Sequence, residues 1–153
     1  MITPLIMLGL LALPLAMAKL AQLAGSDRVN FRTAGALGLV LLFLFTGVGH
    51  FIKTEAMAAM IPEAFPSRTA LVQATGGLEI LLGLAFLFRP LRRFAGLSAI
   101  ALLLLFLPLN VYAAFAQVPL GGHAWGPLYL AIRIPLQVII LLWAYCFTVR
   151  APE

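Results

Sequence analysis

Charge is what this sequence has least of. Charged residues make up 10% of the 153-residue chain, with five carboxylates and ten basic side chains, whereas an ordinary soluble domain is about 25% charged. That shortage, with 63% hydrophobic residues, excludes a soluble globular surface and defines an integral membrane protein. Cysteine is nearly absent as well. The single Cys146 excludes an internal disulfide and a CxxC redox pair. The two histidines, His50 and His123, lack a matching Cys, His or Asp cluster, so neither a metal site nor a covalently bound cofactor is expected. Thr46-Gly47-Val48-Gly49-His50 contains a GxG without a third glycine or a preceding strand, which argues against a dinucleotide loop. The net charge of +5 is dispersed at the ends of apolar runs, where it reads as a topology signal and implies no nucleic acid.

What the sequence does have is apolar runs. Residues 2–23 are interrupted only by Thr3, Lys19 and Gln22 and are long enough to span a bilayer. Ala16-Met17-Ala18 looks like a signal-peptide cleavage site, but no basic residue precedes the apolar region. A polar turn is expected at residues 24–30. The second run covers residues 33–52 and carries Gly35, Gly38, Gly47 and Gly49, which let neighbouring backbones approach. Residues 53–68 mix charge with Met57, Met60, Ile61 and Phe65 and read as a short interfacial helix over residues 54–61 followed by a turn. The third run, residues 69–88, ends at Arg89-Pro90. The fourth, residues 94–116, contains Pro108, which removes an amide donor and predicts a kink near residues 104–110. A Gly- and Pro-rich loop at residues 117–127 holds His123, expected to be solvated. The fifth run covers residues 128–149, with Trp143 and Tyr145 as interfacial anchors.

Basic residues set the orientation. With the N-terminus outside and the C-terminus cytoplasmic, seven (Lys19, Arg28, Arg32, Arg89, Arg92, Arg93 and Arg150) fall on the cytoplasmic side and two (Lys53 and Arg68) outside. Cleaving the first run would invert the remaining helices and put the arginine clusters on the wrong face. This is the stronger argument against a signal peptide.

Within this topology a few polar residues lie inside the spans. Glu79 sits near the middle of the third run, where a lone charge costs about 2.5 to 3.5 kcal/mol, so it needs a partner. His50, Asn110 and Arg133 on three other helices offer one. At 1.5 Å per residue from the outer end, His50 lies about 3 Å in, Arg133 and Asn110 about 8 to 9 Å, and Glu79 about 15 Å. These four are the candidate ligand-binding residues of an outer-half cavity. Helical spacing adds Thr46 and Lys53 to the face of His50, Tyr129 and Gln137 to that of Arg133, and Gln73 with Gly76 and Gly83 to the stripe of Glu79. Tyr112 follows Asn110 as a further secondary candidate. The structural alternative is that Glu79 and Arg133 form an ion pair that only fixes helix register, with Asn110 as interhelical glue worth about 0.6 to 2 kcal/mol.

The ordered motifs carry a resemblance. Gly47-x-Gly49-His50-Phe51, the amphipathic stretch from Glu55 to Pro62, Gly76-Gly77-Leu78-Glu79-Ile80-Leu81-Leu82-Gly83, the Arg92-Arg93 hairpin, Pro108-x-Asn110-x-Tyr112 and Arg133-x-Pro135-Leu136-Gln137 resemble the DoxX-like membrane protein family. The likeness covers roughly residues 34–149. It implies an all-α integral membrane fold: a four-helix transmembrane bundle over residues 33–149, with the interfacial segment at 53–68. Residues 1–24 would add one N-terminal transmembrane helix, making five in total. The family takes its name from a subunit of a thiosulfate:quinone oxidoreductase, and other relatives are linked to membrane redox complexes or to receptor assembly. The resemblance therefore implies a bacterial-type inner-membrane protein, a quinone-linked redox system and a redox or other membrane protein as partner. The rival expectation is an assembly or scaffold protein that docks a partner through its Met-rich segment or first helix. A small-solute transporter is a third, against which stand the short chain and the lack of visible inverted repeats.

Overall fold

A computed structural model of the chain describes residues 2–26 and 30–150. Asp27 and Arg28, which belong to the expected polar turn and to the basic count, lie outside the described residues, as does Met1. The described residues form helices and turns without strands. In order these are α1 (Ile2–Leu23), α2 (Phe31–Ile52), the single turn and a half of α3 (Thr54–Ala58) and α4 (Arg68–Ala85). A 3-10 turn (Arg89–Leu91) then leads into α5 (Arg92–Phe115), and a second 3-10 segment (His123–Tyr129) into α6 (Leu130–Ala144), which closes in a π-helical turn (Tyr145–Val149). Four of these segments are long and apolar enough to cross a membrane: α1, α2, α5 with its leading turn, and α6 with its flanking turns. This is consistent with a multi-pass membrane protein. α4 is shorter and more polar and is not among them.

Lipid gives no hydrophobic drive for helix association, so packing depends on close approach at small residues. α2 is the centre of that packing. At one end its Gly38 lies against the backbone of Leu11 in α1, and Gly35 lies against the ring of Phe147. At the other end Gly47 meets Gly76 of α4: a Cβ on Gly47 would stand 2.9 Å from the Gly76 carbonyl oxygen, and a Cβ on Gly76 would stand 2.5 Å from His50 Cβ. Leu11, Leu39, Leu42, Phe43, Phe86 and Ile140 fill the space between the helices. Polar ties hold the helix ends. The Asn30 side chain caps α2 by accepting from the Thr33 amide at 3.0 Å, and Trp143 Nε1 donates to the Gly35 carbonyl at 3.0 Å.

Several elements differ from the expectation. α3 stops at Ala58, short of residue 61, and tightens into turns in which the Met60 amide donates to Met57 O and the Ile61 amide to Ala58 O, ahead of Pro62. α5 continues as one helix through Pro108, and near the proline two side-chain amides add bonds to its carbonyls: Gln137 Nε2 donates to Leu103 O at 2.5 Å and Asn110 Nδ2 to Phe106 O at 2.8 Å. The loop at 117–127 is partly helical, turned by positive φ at Gly121, Gly122 and Gly126.

Candidate functional site

The Gly47–Gly76 crossing places α2 and α4 close enough for their polar side chains to meet. One turn beyond it, His50 extends across to α4, where Nδ1 lies 2.9 Å from the Val72 carbonyl oxygen and 3.2 Å from the Thr75 hydroxyl. A carbonyl can only accept, so Nδ1 carries a proton and Nε2 is left for Glu79. That nitrogen stands 3.6 Å from Glu79 Oε1. This is an ion-pair distance and longer than a hydrogen bond, so neither group saturates the other. Thr46 lies beside the same carboxyl, its hydroxyl donating to the Leu42 carbonyl at 3.1 Å. Of the three partners the sequence offers Glu79, His50 is the one that makes the contact.

Arg133 is engaged elsewhere. Its Nε donates to Asn110 Oδ1 at 3.1 Å, and this is its one hydrogen bond among the described residues. Its charge still acts on Glu79, His123 and Tyr129. The two pairs are joined through α5, since the Phe106 ring lies 6.1 Å from that of His50 and the Phe106 carbonyl accepts from Asn110. Glu79 and Asn110 are buried, His50 and Arg133 only partly so.

Of the secondary candidates, Thr46, Tyr129 and Gln137 join this neighbourhood. Tyr129 and Gln137 are buried. Lys53 is exposed at the break between α2 and α3, and Tyr112 is exposed on α5, so neither reaches the cluster. Gln73 is exposed too. Along the first turns of α4 the buried position is Val72, which packs on Ala58 and Ile61, and the polar stripe begins only at Gly76. His123 is the residue the sequence misplaced. It is 4% exposed, not solvated, because the two glycines before it fold the loop back. Its Nδ1 donates to Leu120 O at 2.7 Å and its ring meets Tyr129 edge-on at 4.8 Å. No local pattern signals this burial.

Among the described residues, the buried atoms Glu79 Oε2, His123 Nε2 and Gln137 Oε1, from three segments, lack a hydrogen-bond partner. Each such atom costs about 1 to 3 kcal/mol and calls for an explanation. With Nδ1 of His123 protonated, its Nε2 is an acceptor, and Gln137 Oε1 is an acceptor as well. Two hollows on the surface, one at residues 51–56 and one at the far end of α2, are lined by none of His50, Glu79, Asn110 or Arg133. No group of three or more potential metal ligands occurs among the described residues.

Fold and site together define an all-helical, multi-pass type of membrane protein with a polar cluster between its helices. Residues 39–148 match the model of a domain of unknown function, DUF8561, and the chain belongs to that family. The match runs from the middle of α2 to the π-helical turn and leaves α1 outside. No curated protein and no solved structure matches the chain.

Proposed function

We propose that this is a five-span inner-membrane protein, N-terminus outside, whose outer-half cluster binds the headgroup of a quinone or a similar small polar molecule. It would serve as a small subunit of a quinone-linked redox system, as the DoxX-like resemblance implies. α4 is the fifth span: its 18 residues rise about 27 Å, within the range for crossing the hydrocarbon. Its Glu79 faces His50 rather than lipid.

The observation that carries the ligand reading is Arg133, whose guanidinium bonds among the described residues through Nε alone and lies within electrostatic reach of Glu79 and His123, both of which keep an atom without a partner there. The donor set fits a quinone. The Nη groups of Arg133 can donate to a carbonyl oxygen, and the His50–Glu79 pair can pass a proton toward it. A bound quinone supplies two-electron, two-proton chemistry, and the electrons come from a partner protein. In this reading the chain is a ligand-binding subunit and not an enzyme by itself.

A photoreactive quinone analogue tests this in native membranes. Labelling should fall on α6 near Arg133 and on α5 near Asn110, and should be lost in Arg133→Leu. The rival assembly reading draws on the burial of Glu79, which lines neither the hollow at residues 51–56 nor the one at the far end of α2. Labelling scattered over lipid-facing residues, unchanged by Arg133→Leu, would favour it.

A further inference from the structure

At the end of α2 away from His50, the starts of α2 and α5 meet the π-helical turn Tyr145–Val149. There Asn30, Arg32, Arg89, Arg92 and Phe147 line a hollow of about 110 Å3. Its walls are held in place. Arg92 is buried, its Nε donating to the Phe86 carbonyl at 3.0 Å and its Nη1 to the Thr33 hydroxyl at 3.3 Å. Arg89 is exposed and opens the 3-10 turn stiffened by Pro90. The π-helical turn brings in Phe147, whose ring packs on Gly35 and on Trp143 at 4.9 Å. Arg32 and Arg92 also have further partners within the protein. The balance of charge is positive, because segments 24–32 and 89–93 together contain one acid, Asp27, against five arginines.

Depth and size narrow the occupant. α2 and α5 both begin here and are both apolar enough to cross a membrane, so the hollow lies at the level of lipid headgroups and not of acyl chains. Its volume is well below the 300 to 1,000 Å3 of most small-molecule sites, which limits it to one compact group. Arginine forks match phosphate oxygens in pairs, and basic recesses between spanning helices suit anionic headgroups. We propose that this hollow binds the phosphate of an anionic phospholipid and anchors this end of the bundle to the membrane surface. The assignment is independent of the quinone reading.

Native mass spectrometry of the purified full chain, exchanged into phosphatidylglycerol or phosphatidylcholine, provides the test. Phosphatidylglycerol should be retained in preference to phosphatidylcholine. Arg89→Gln should weaken that retention about fivefold, the effect of one basic residue at an anionic surface. Arg89 is exposed, so this variant keeps the fold, as helical circular dichroism should verify. Arg93→Gln, next to the hollow but outside its lining, should change retention little. Equal losses in the two variants mean diffuse attraction and overturn the proposal, as does equal retention of the two lipids. Displacement of the lipid by millimolar inorganic phosphate would reassign the hollow to a soluble anion and equally defeat the lipid assignment.

Discussion

His50 Nε2 and Glu79 Oε1 stand 3.6 Å apart across the α2–α4 contact, with the opposite ring nitrogen of His50 held by the Val72 carbonyl. The carboxylate that the membrane makes costly is thus matched by an imidazole on the helix packed against it. His50→Ala and Glu79→Gln should each destabilise the protein in detergent. A double-mutant cycle should show a coupling of about 0.5 to 2 kcal/mol, the range of polar contacts between membrane helices. Additive effects would mean that the two groups do not interact.

The neighbouring glycines of α4 should behave differently. Gly76→Ala places a methyl group 2.5 Å from His50 Cβ and 3.0 Å from the Gly47 carbonyl, and neither neighbour is the flexible end of a side chain. We expect a loss of about 1 to 3 kcal/mol together with disturbance of the His50–Glu79 pair. Gly77→Ala meets nothing within 4 Å and should be neutral, or stabilising by up to about 1 kcal/mol from helix propensity. Unfolding of both variants under the same conditions checks the contrast.

The sequence shows why α2 and α4 come together but not which polar groups then touch. Gly76, Glu79 and Gly83 share a stripe by helical spacing, and all three are buried. The same arithmetic gives no helix-to-helix adjacency, so Arg133 and His50 looked equally suited to Glu79. The choice was settled by the Gly47–Gly76 crossing, which is tertiary. Boundaries followed local chemistry: α1 covers the first apolar run, and α2 begins at Phe31, two residues ahead of the expected start, because Asn30 caps it. His123 was invisible because its burial depends on positive φ at Gly121 and Gly122 and on the distant ring of Tyr129.

Arginine at 133 should not be replaceable by lysine. The Nε–Asn110 contact of 3.1 Å leaves the outer nitrogens of the guanidinium for other work, whereas a lysine has one nitrogen for both tasks. Arg133→Lys should therefore keep the fold and lose ligand affinity about tenfold, or 1.4 kcal/mol. Full affinity in the lysine variant would show that a point charge suffices.

Whether α4 crosses the membrane can be read from the sides on which its flanking segments lie. With Cys146 replaced by serine, Lys53→Cys should react with a membrane-impermeant thiol reagent in intact cells, and Arg93→Cys only after lysis. Both side chains are exposed. Labelling of the two from the same side would make α4 a helix that does not cross and would leave the four apolar spans alone.

The most direct measurement of the central claim is a quinone titration of the purified wild-type chain beside folded Glu79→Gln and Arg133→Leu variants. Saturable binding by the wild type, weakened at least tenfold in both variants, is the predicted result. Equal affinity in all three proteins, or no saturable binding at all, would contradict it.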